Sequence, residues 1–127
     1  MAVLMLIAAN AAIAQENSME LVKQGYEYYR VSHPHPNSQN IYTLTSLDKL
    51  MAFTALDHVE MISPRPLLVI AGSEAESYYF SREAYDKAEE PRELFSIDGA
   101  SHIDLYYQPK YVSQVLIKLA DFYQKKL

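Results

Sequence analysis

The sequence predicts an α/β fold built around a parallel βαβ unit with one further helix behind it. The first strand is Leu67–Gly72, a continuous apolar run closed by glycine, which is typical of a parallel strand buried on both faces. A helical pattern over residues 81–88 stops before Pro91, and a second, shorter strand pattern follows at residues 93–97. The last helix begins at Pro109, because proline suits the first position of a helix.

Helices are also predicted before the first strand. Residues 19–30 and residues 44–53 carry apolar side chains at helical spacing, and Ser46 is the expected cap of the second helix. A loop rich in proline, asparagine and serine separates them over residues 32–40. Residues 63–66 contain two prolines, which forbid a helix and favour an extended approach to the strand.

The first eighteen residues form an apolar segment that we separate from a partial domain over residues 19–127. Residues 1–14 end in an Ala-Ile-Ala sequence shaped like a signal-peptidase site, but no lysine or arginine precedes the apolar run and Asn10 interrupts it. The segment is therefore a helix remnant or a weak export signal. We expect a cytoplasmic protein, with export as the alternative.

Two buried parallel strands do not make a complete sheet. Such strands need neighbours on both sides and cover on both faces. We therefore expect further strands from an upstream half that this chain lacks or from a partner. The first strand, over residues 67–71, is the edge at which the chain would self-associate.

Composition excludes several classes of function. The chain has 127 residues, half of them hydrophobic, and a net charge of −5. An acidic chain without clustered Lys and Arg is a poor ligand for nucleic acid. The absence of cysteine excludes disulfides, zinc–thiolate sites and a thiol nucleophile.

Chemistry is expected where the two strands end, because ligands of open parallel sheets bind beyond the carboxyl ends of the strands. The first strand is followed by a loop with Glu74 and Glu76, and the second by residues 98–104 with His102. A carboxylate can fix the tautomer of an imidazole whose other nitrogen acts as general base. The remaining requirement is an activated hydroxyl.

Other polar residues carry two interpretations each. His33 and His35 are two metal ligands or an exposed pair in a proline-rich loop. Asp104 is an alternative acid or a cap for the segment that follows it. The tyrosine pairs at residues 78–79 and 106–107 line a substrate pocket or pack the sheet edge.

Several stretches resemble the last third of an α/β-hydrolase. They are SPRPLLVIAGSEAESYYF at residues 63–80 and ELFSIDGASHIDLY at residues 93–106, with weaker likeness in GYEYYR at residues 25–30, HPN at residues 35–37 and SLDKLMAFTALDHV at residues 46–59. The likeness is to the dienelactone-hydrolase-like and peptidase-S9-like bacterial esterases, and it extends from Glu20 to the C-terminus. It implies the C-terminal βαβα portion of an α/β-hydrolase sheet, preceded by helices, with the nucleophile half absent.

The resemblance also implies roles for single residues. His102 matches the family's histidine, which follows the last strand. The family's acid commonly occupies the position of Ala75, so Glu76 is the favoured acid and Glu74 the alternative. Neither the Gly-x-Ser-x-Gly elbow nor the oxyanion loop is present, and the chain alone is expected to be inactive.

The expected reaction is ester hydrolysis through an acyl-enzyme, on a small ester supplied to a site completed by the missing half. No cofactor, metal, nucleic acid or membrane is implied. The alternative functions are a non-catalytic truncated product or a small exported interaction protein.

Overall fold

The computed structural model describes residues 20–38 and 43–126. The chain divides into two compact units, Met1–Ala55 and Leu56–Leu127. The apolar segment over residues 1–18, with its signal-like end, lies outside the described residues. The predicted division into residues 1–18 and 19–127 therefore stays a prediction.

The first unit contains two α-helices within residues 20–38 and 43–55. α1 is Glu20–Tyr26, and it continues as a π-helical segment, Glu27–Ser32, so the predicted helix changes type part-way. α2 is Leu44–Ala52. Its cap is Thr43 rather than the predicted Ser46, because Thr43 immediately precedes the first helical residue and its Oγ1 accepts from the Ser46 backbone N–H at 3.2 Å.

The second unit carries the sheet. In chain order it comprises a short 3₁₀ helix at Val59–Ile62, β1 at Leu67–Gly72, α3 at Tyr78–Lys87, β2 at Arg92–Ile97, α4 at Asp104–Tyr107 and α5 at Pro109–Lys126. The bounds of β1 are those predicted, α3 begins three residues earlier than predicted, and α4 was not predicted.

β1 and β2 are neighbours and run parallel, in a register that pairs Leu67 with Arg92 and Gly72 with Ile97. The predicted parallel pair and the mixed α/β class are confirmed. The predicted burial of β1 on both faces is wrong for most of its length, since only Ala71 and Gly72 are buried. The reason is that the sheet has two strands within the described residues, too few to cover its own faces.

Apart from Ala88 at the end of α3, the buried residues lie at the carboxyl ends of the two strands and in the loops that follow them. They are mostly small: Ala71, Gly72, Ala75, Ile97, Ala100, Ser101 and Ile103. Small side chains let two backbones approach closely, so the best-packed region of the unit is the one that holds the predicted site.

The Arg92 side chain connects β2 to the end of α3 by hydrogen bonds. Its guanidinium donates to the carbonyls of Asp86 at 2.9 Å, of Ala88 at 2.7 Å and of Tyr85, and it lies 4.6 Å from the centre of the Tyr85 ring. A cation at the last carbonyls of a helix stabilises them, both as a hydrogen-bond donor and through the helix dipole. The Arg92 side chain therefore stabilises the crossover from α3 into β2.

α5 packs beside β2, where Lys118 pairs with Glu93 and lies over the Phe95 ring. Its predicted apolar stripe is only partly covered, because Leu116 is 60% exposed and Tyr123 is 54% exposed. Of the helices in residues 20–38 and 43–126, none is both long and apolar enough to cross a membrane.

Candidate functional site

The loops that leave β1 and β2 lie against each other. The Ser73 N–H donates to the Ile97 carbonyl at 2.9 Å, and the Glu74 N–H donates to the Ala100 carbonyl at 3.0 Å. In the other direction, the Gly99 N–H donates to Ser73 Oγ at 2.9 Å. The predicted meeting of the two loops at the carboxyl edge of the sheet is confirmed.

Gly72 makes this approach possible. A Cβ built at this position would lie 2.2 Å from the carbonyl oxygen of Ala100 and 2.9 Å from that of Ser101. Real Cβ atoms do not come so close to backbone, so any side chain at Gly72 would push the second loop away. The glycine that closes β1 therefore sets the position of the loop that contains His102.

His102 lies in the second loop with a hydroxyl at each ring nitrogen. Nδ1 is 2.9 Å from Ser77 Oγ, and Nε2 is 2.7 Å from the Tyr106 hydroxyl. The ring is partly buried, and Tyr106 is 46% exposed. The histidine is thus held at both nitrogens, with Nε2 on the side of the more exposed partner.

Ser77 is the residue before α3 and occupies its N-cap position, yet its side chain makes no cap bond with the helix. A serine at this position normally accepts from a helix N–H and stabilises the helix by about 1 kcal/mol. Here the hydroxyl turns to His102 instead. The Ser77 hydroxyl is therefore a partner of the histidine and not of α3.

Asp104 has the capping role that was one of its two interpretations. Its carboxylate accepts from the Ser101 N–H at 3.0 Å, and Ser101 Oγ accepts from the Asp104 N–H at 3.3 Å. This reciprocal pair has the bonding pattern of a capping box and closes the turn that leads into α4, whose own N-cap residue is Ile103. His102 follows Ser101 directly, so the same bonds fix the backbone on which the imidazole is mounted.

Glu74 and Glu76 lie in the loop after β1, and both side chains are exposed. The Glu74 carboxylate accepts from Ser73 Oγ at 3.3 Å. Glu76 directly precedes Ser77, the residue that contacts Nδ1. The hydroxyls of Ser77 and Tyr106, and neither carboxylate, are the hydrogen-bond partners of the ring, and the assignment of an acid stays a prediction.

Ser77 and Tyr106 were missed as partners of His102. Tyr106 is four residues after His102 in the same loop-to-helix segment, so its closeness in sequence was the available signal. Ser77 carried no such signal, since its contact with His102 joins residues 25 positions apart.

The tyrosine pairs have local contacts that decide neither of their two interpretations. Tyr106 contacts the histidine, whereas the Tyr79 ring packs on Phe80 with a centroid distance of 4.1 Å. Tyr79 is 60% exposed and Tyr107 is 39% exposed. One tyrosine therefore belongs to the site, and the lining of a pocket by the others stays a prediction.

His33 and His35 have local partners in the first unit. The His33 ring stacks on Tyr28 at 4.6 Å between centroids, and its Nδ1 lies 2.9 Å from Ser32 Oγ. His35 Nδ1 accepts from the Asn37 N–H at 3.1 Å. Residues 20–38 and 43–126 contain no group of three or more His, Cys, Asp or Glu side chains able to hold a metal ion.

Two proteins of known sequence are similar to this chain. The uncharacterized protein PA2218 of Pseudomonas aeruginosa is 46% identical over 85 residues, which is 64% of this chain and 23% of that protein. The uncharacterized protein YcjY of Escherichia coli K12 is 32% identical over 110 residues, which is 85% of this chain and 36% of that protein. No family model matches.

The crystal structure of the hypothetical protein PA2218 is also similar in fold. It superposes with a TM-score of 0.79 and 35% identity over 89% of this chain and 36% of that chain. This chain therefore spans about a third or less of the length of the relatives it matches.

These findings correct the family assignment made from the sequence. The assignment to the α/β-hydrolase superfamily, and to its dienelactone-hydrolase-like and peptidase-S9-like branch, does not stand. The comparisons connect the chain to PA2218 and YcjY, both uncharacterized, and no family model matches.

Proposed function

We propose that this chain supplies the proton-transfer part of an ester-hydrolysing site, with His102 as general base and then general acid. The nucleophilic hydroxyl would come from outside this chain. The substrate would be a small ester, and no cofactor or metal enters the reaction.

The observation that carries this proposal is the position of His102. It lies beyond the carboxyl ends of two parallel strands, where ligands of such sheets bind. Its Nε2 is already 2.7 Å from a hydroxyl oxygen, which is the distance over which a general base takes a proton from a reacting hydroxyl. Its loop is among the best-packed parts of the unit, so the ring is held in place before substrate binds.

Glu76 is the carboxylate that we propose to support the protonated ring, with Glu74 as the alternative. Both residues lie in the loop that faces the histidine loop, and Glu76 is adjacent in sequence to the Nδ1 partner Ser77. A carboxylate near an imidazolium stabilises it when the ring has taken up a proton. The choice between them is testable by comparing Glu76→Gln with Glu74→Gln.

The chain alone is expected to hydrolyse no ester, since the proposal assigns the hydroxyls of Ser77 and Tyr106 to holding the ring and takes the nucleophile and the oxyanion donors from outside this chain. The test therefore uses a chimera in which this chain replaces the matching part of PA2218. The likeness over 89% of this chain makes the exchange feasible.

The chimera should hydrolyse a short-chain chromogenic ester, and His102→Ala should lower its kcat by about 100-fold or more, the usual contribution of general acid–base catalysis. Glu76→Gln should lower kcat by less, with Glu74→Gln as the matched control. Far-ultraviolet circular dichroism checks that each variant is folded. A folded chimera that hydrolyses no ester, or one whose turnover is unaffected by His102→Ala, would contradict the proposal.

A second candidate function, a non-catalytic interaction role, is favoured by one observation. α5 presents Leu116 at 60% exposure, Ile117 at 72% and Tyr123 at 54%. Large apolar side chains gathered on one helix are typical of an interaction surface. If this role were the correct one, replacing Ile117 with Lys would abolish partner binding, and His102→Ala would change nothing.

A further inference from the structure

His102 can exist as two neutral tautomers, and only one of them leaves Nε2 free to accept a proton. Chemistry at Nε2 requires the hydrogen on Nδ1, and the hydrogen bond made by the other nitrogen decides which tautomer prevails. The hydrogen-bond partner at Nδ1 is Ser77 Oγ, at 2.9 Å.

We propose that Ser77 is a positioning residue that accepts the Nδ1 hydrogen of His102 and so keeps Nε2 unprotonated. This inference rests on the proposed function only where it predicts an effect on ester hydrolysis. The tautomer itself is a property of this chain and can be measured without turnover.

Two features of the site support a hydrogen bond in which His102 Nδ1–H donates and Ser77 Oγ accepts. The first lies at the other nitrogen, where the Tyr106 hydroxyl is 2.7 Å from Nε2. A phenol is a stronger hydrogen-bond donor than an aliphatic alcohol, so Tyr106 donates to Nε2 and leaves the hydrogen on Nδ1. That hydrogen is then donated to Ser77 Oγ, which as a hydroxyl both donates and accepts.

The second feature is the bond that Ser77 does not make. Ser77 precedes α3 with φ −87° and ψ 5°, outside the extended region typical of a capping residue, and its side chain makes no cap bond. The oxygen faces His102 instead, and its contact with the ring is partly buried.

Ser77 therefore takes, at Nδ1, the place at which a carboxylate holds the imidazole in a catalytic triad. A hydroxyl fixes the tautomer as a carboxylate does, but it adds no negative charge. Ser77 would accordingly orient the ring, while stabilisation of the imidazolium is left to a carboxylate of the same loop.

The test is nitrogen-15 NMR of the His102 ring in this chain at a pH where the ring is neutral. We expect the Nδ1–H tautomer to predominate in the unaltered chain. The informative comparison is made with Tyr106→Phe present, since the phenol no longer holds Nε2 and the tautomer then depends on Ser77. In that background Ser77→Ala should turn the Nδ1–H form from the major into the minor species, and Ser77→Thr should restore it.

The matched control is Ser81→Ala, which removes a hydroxyl from α3 itself. It should leave the tautomer unchanged. In the ester-hydrolysing chimera, Ser77→Ala should lower kcat by about tenfold, the effect of losing one hydrogen bond, with KM unchanged.

A tautomer ratio that Ser77→Ala leaves unchanged, or one that Ser77→Thr does not restore, would overturn the positioning role. If the tautomer responds as expected but the chimera hydrolyses no ester, the positioning role stands and the hydrolytic function fails. If ester turnover depends on His102 but the tautomer does not depend on Ser77, the hydrolytic function stands and the positioning role fails.

Discussion

At the scale of single residues, the site depends on His102 and on the two loops, after β1 and after β2, that hold it. Its place after the second strand was predictable, because a parallel pair brings the loops beyond its carboxyl ends together. Its partners were less accessible to prediction. Tyr106 lies in α4, four residues after His102 in the preceding turn, whereas Ser77 reaches the ring only through the packing of one loop on the other.

Gly72 illustrates how a single residue can control this packing. Gly72→Ala should destabilise the second unit by about 1–3 kcal/mol, the usual result of overpacking, because the new Cβ would meet the Ala100 carbonyl. Urea unfolding measures the change, and the NMR signals of His102 should move in the same variant.

Gly25→Ala is the matched control for Gly72→Ala. A Cβ at Gly25 meets nothing within 4 Å, and the residue lies within α1. Alanine there should leave stability unchanged or raise it by up to about 1 kcal/mol, since glycine is unfavourable in a helix interior. If Gly72→Ala were as harmless as Gly25→Ala, the close approach of the loops would not set the site.

At the scale of elements, β1 was predicted within its observed bounds because an unbroken apolar run closed by glycine has few other interpretations. The start of α3 was placed too late. Its first three residues are Tyr78, Tyr79 and Phe80, which carry no helix-start signal, and the serine before them does not cap. The sequence signal was weak because aromatic residues have only a modest helix propensity.

α5 ends in an ion pair that gives a dependence on pH. Lys125 Nζ lies 2.6 Å from Asp121 Oδ1, and this hydrogen bond lowers the pKa of Asp121. A carboxyl whose pKa is lower in the folded state stabilises that state above its ordinary value, and the contribution is lost as pH falls through the folded pKa. The pH range in which this contribution to stability is lost therefore lies below the ordinary aspartate pKa of 3.8.

A double-mutant cycle of Asp121→Asn and Lys125→Gln checks this pair by urea unfolding. The coupling between the two residues should be present at neutral pH and shrink as pH falls below the ordinary aspartate value. It should also weaken in high salt, because both side chains are exposed. A coupling that is the same at both ends of the pH range would show that the pair does not titrate as described.

At the scale of the whole molecule, the parallel pair of strands was predictable, but the exposure of β1 and the family of the protein were not. A pair of parallel strands cannot bury its own faces, and residues 67–70 are only half-buried, where burial on both faces was predicted. The family assignment rested on short stretches of sequence, and the comparisons led instead to PA2218 and YcjY, of which this chain spans about a third or less.

The outer edge of β1 should make the chain self-associate. The Leu67 N–H donates to the Pro91 carbonyl, so the next N–H, that of Leu68, points away from β2. Analytical ultracentrifugation should show association that grows with concentration, because unpaired strand edges recruit further strands.

Two proline variants separate edge pairing from folding. Leu68→Pro removes an outward N–H and should reduce association, whereas Val69→Pro removes an N–H that faces β2 and should disrupt the β1–β2 pair. A chain that stays monomeric at high concentration, or one whose association survives Leu68→Pro, would show that this edge is not the contact.

The role of His102 in proton transfer is tested most directly by chemical rescue of the chimera with PA2218. His102→Ala leaves a space where the imidazole was, and imidazole added to the solution can take up the proton in its place. If His102 acts as general base, ester turnover lost in the variant should return in proportion to the imidazole concentration, with no such effect on the unaltered chimera. If turnover is lost on substitution but imidazole restores none of it, while the variant remains folded and still binds ester, His102 holds the loop in place and does not carry the proton.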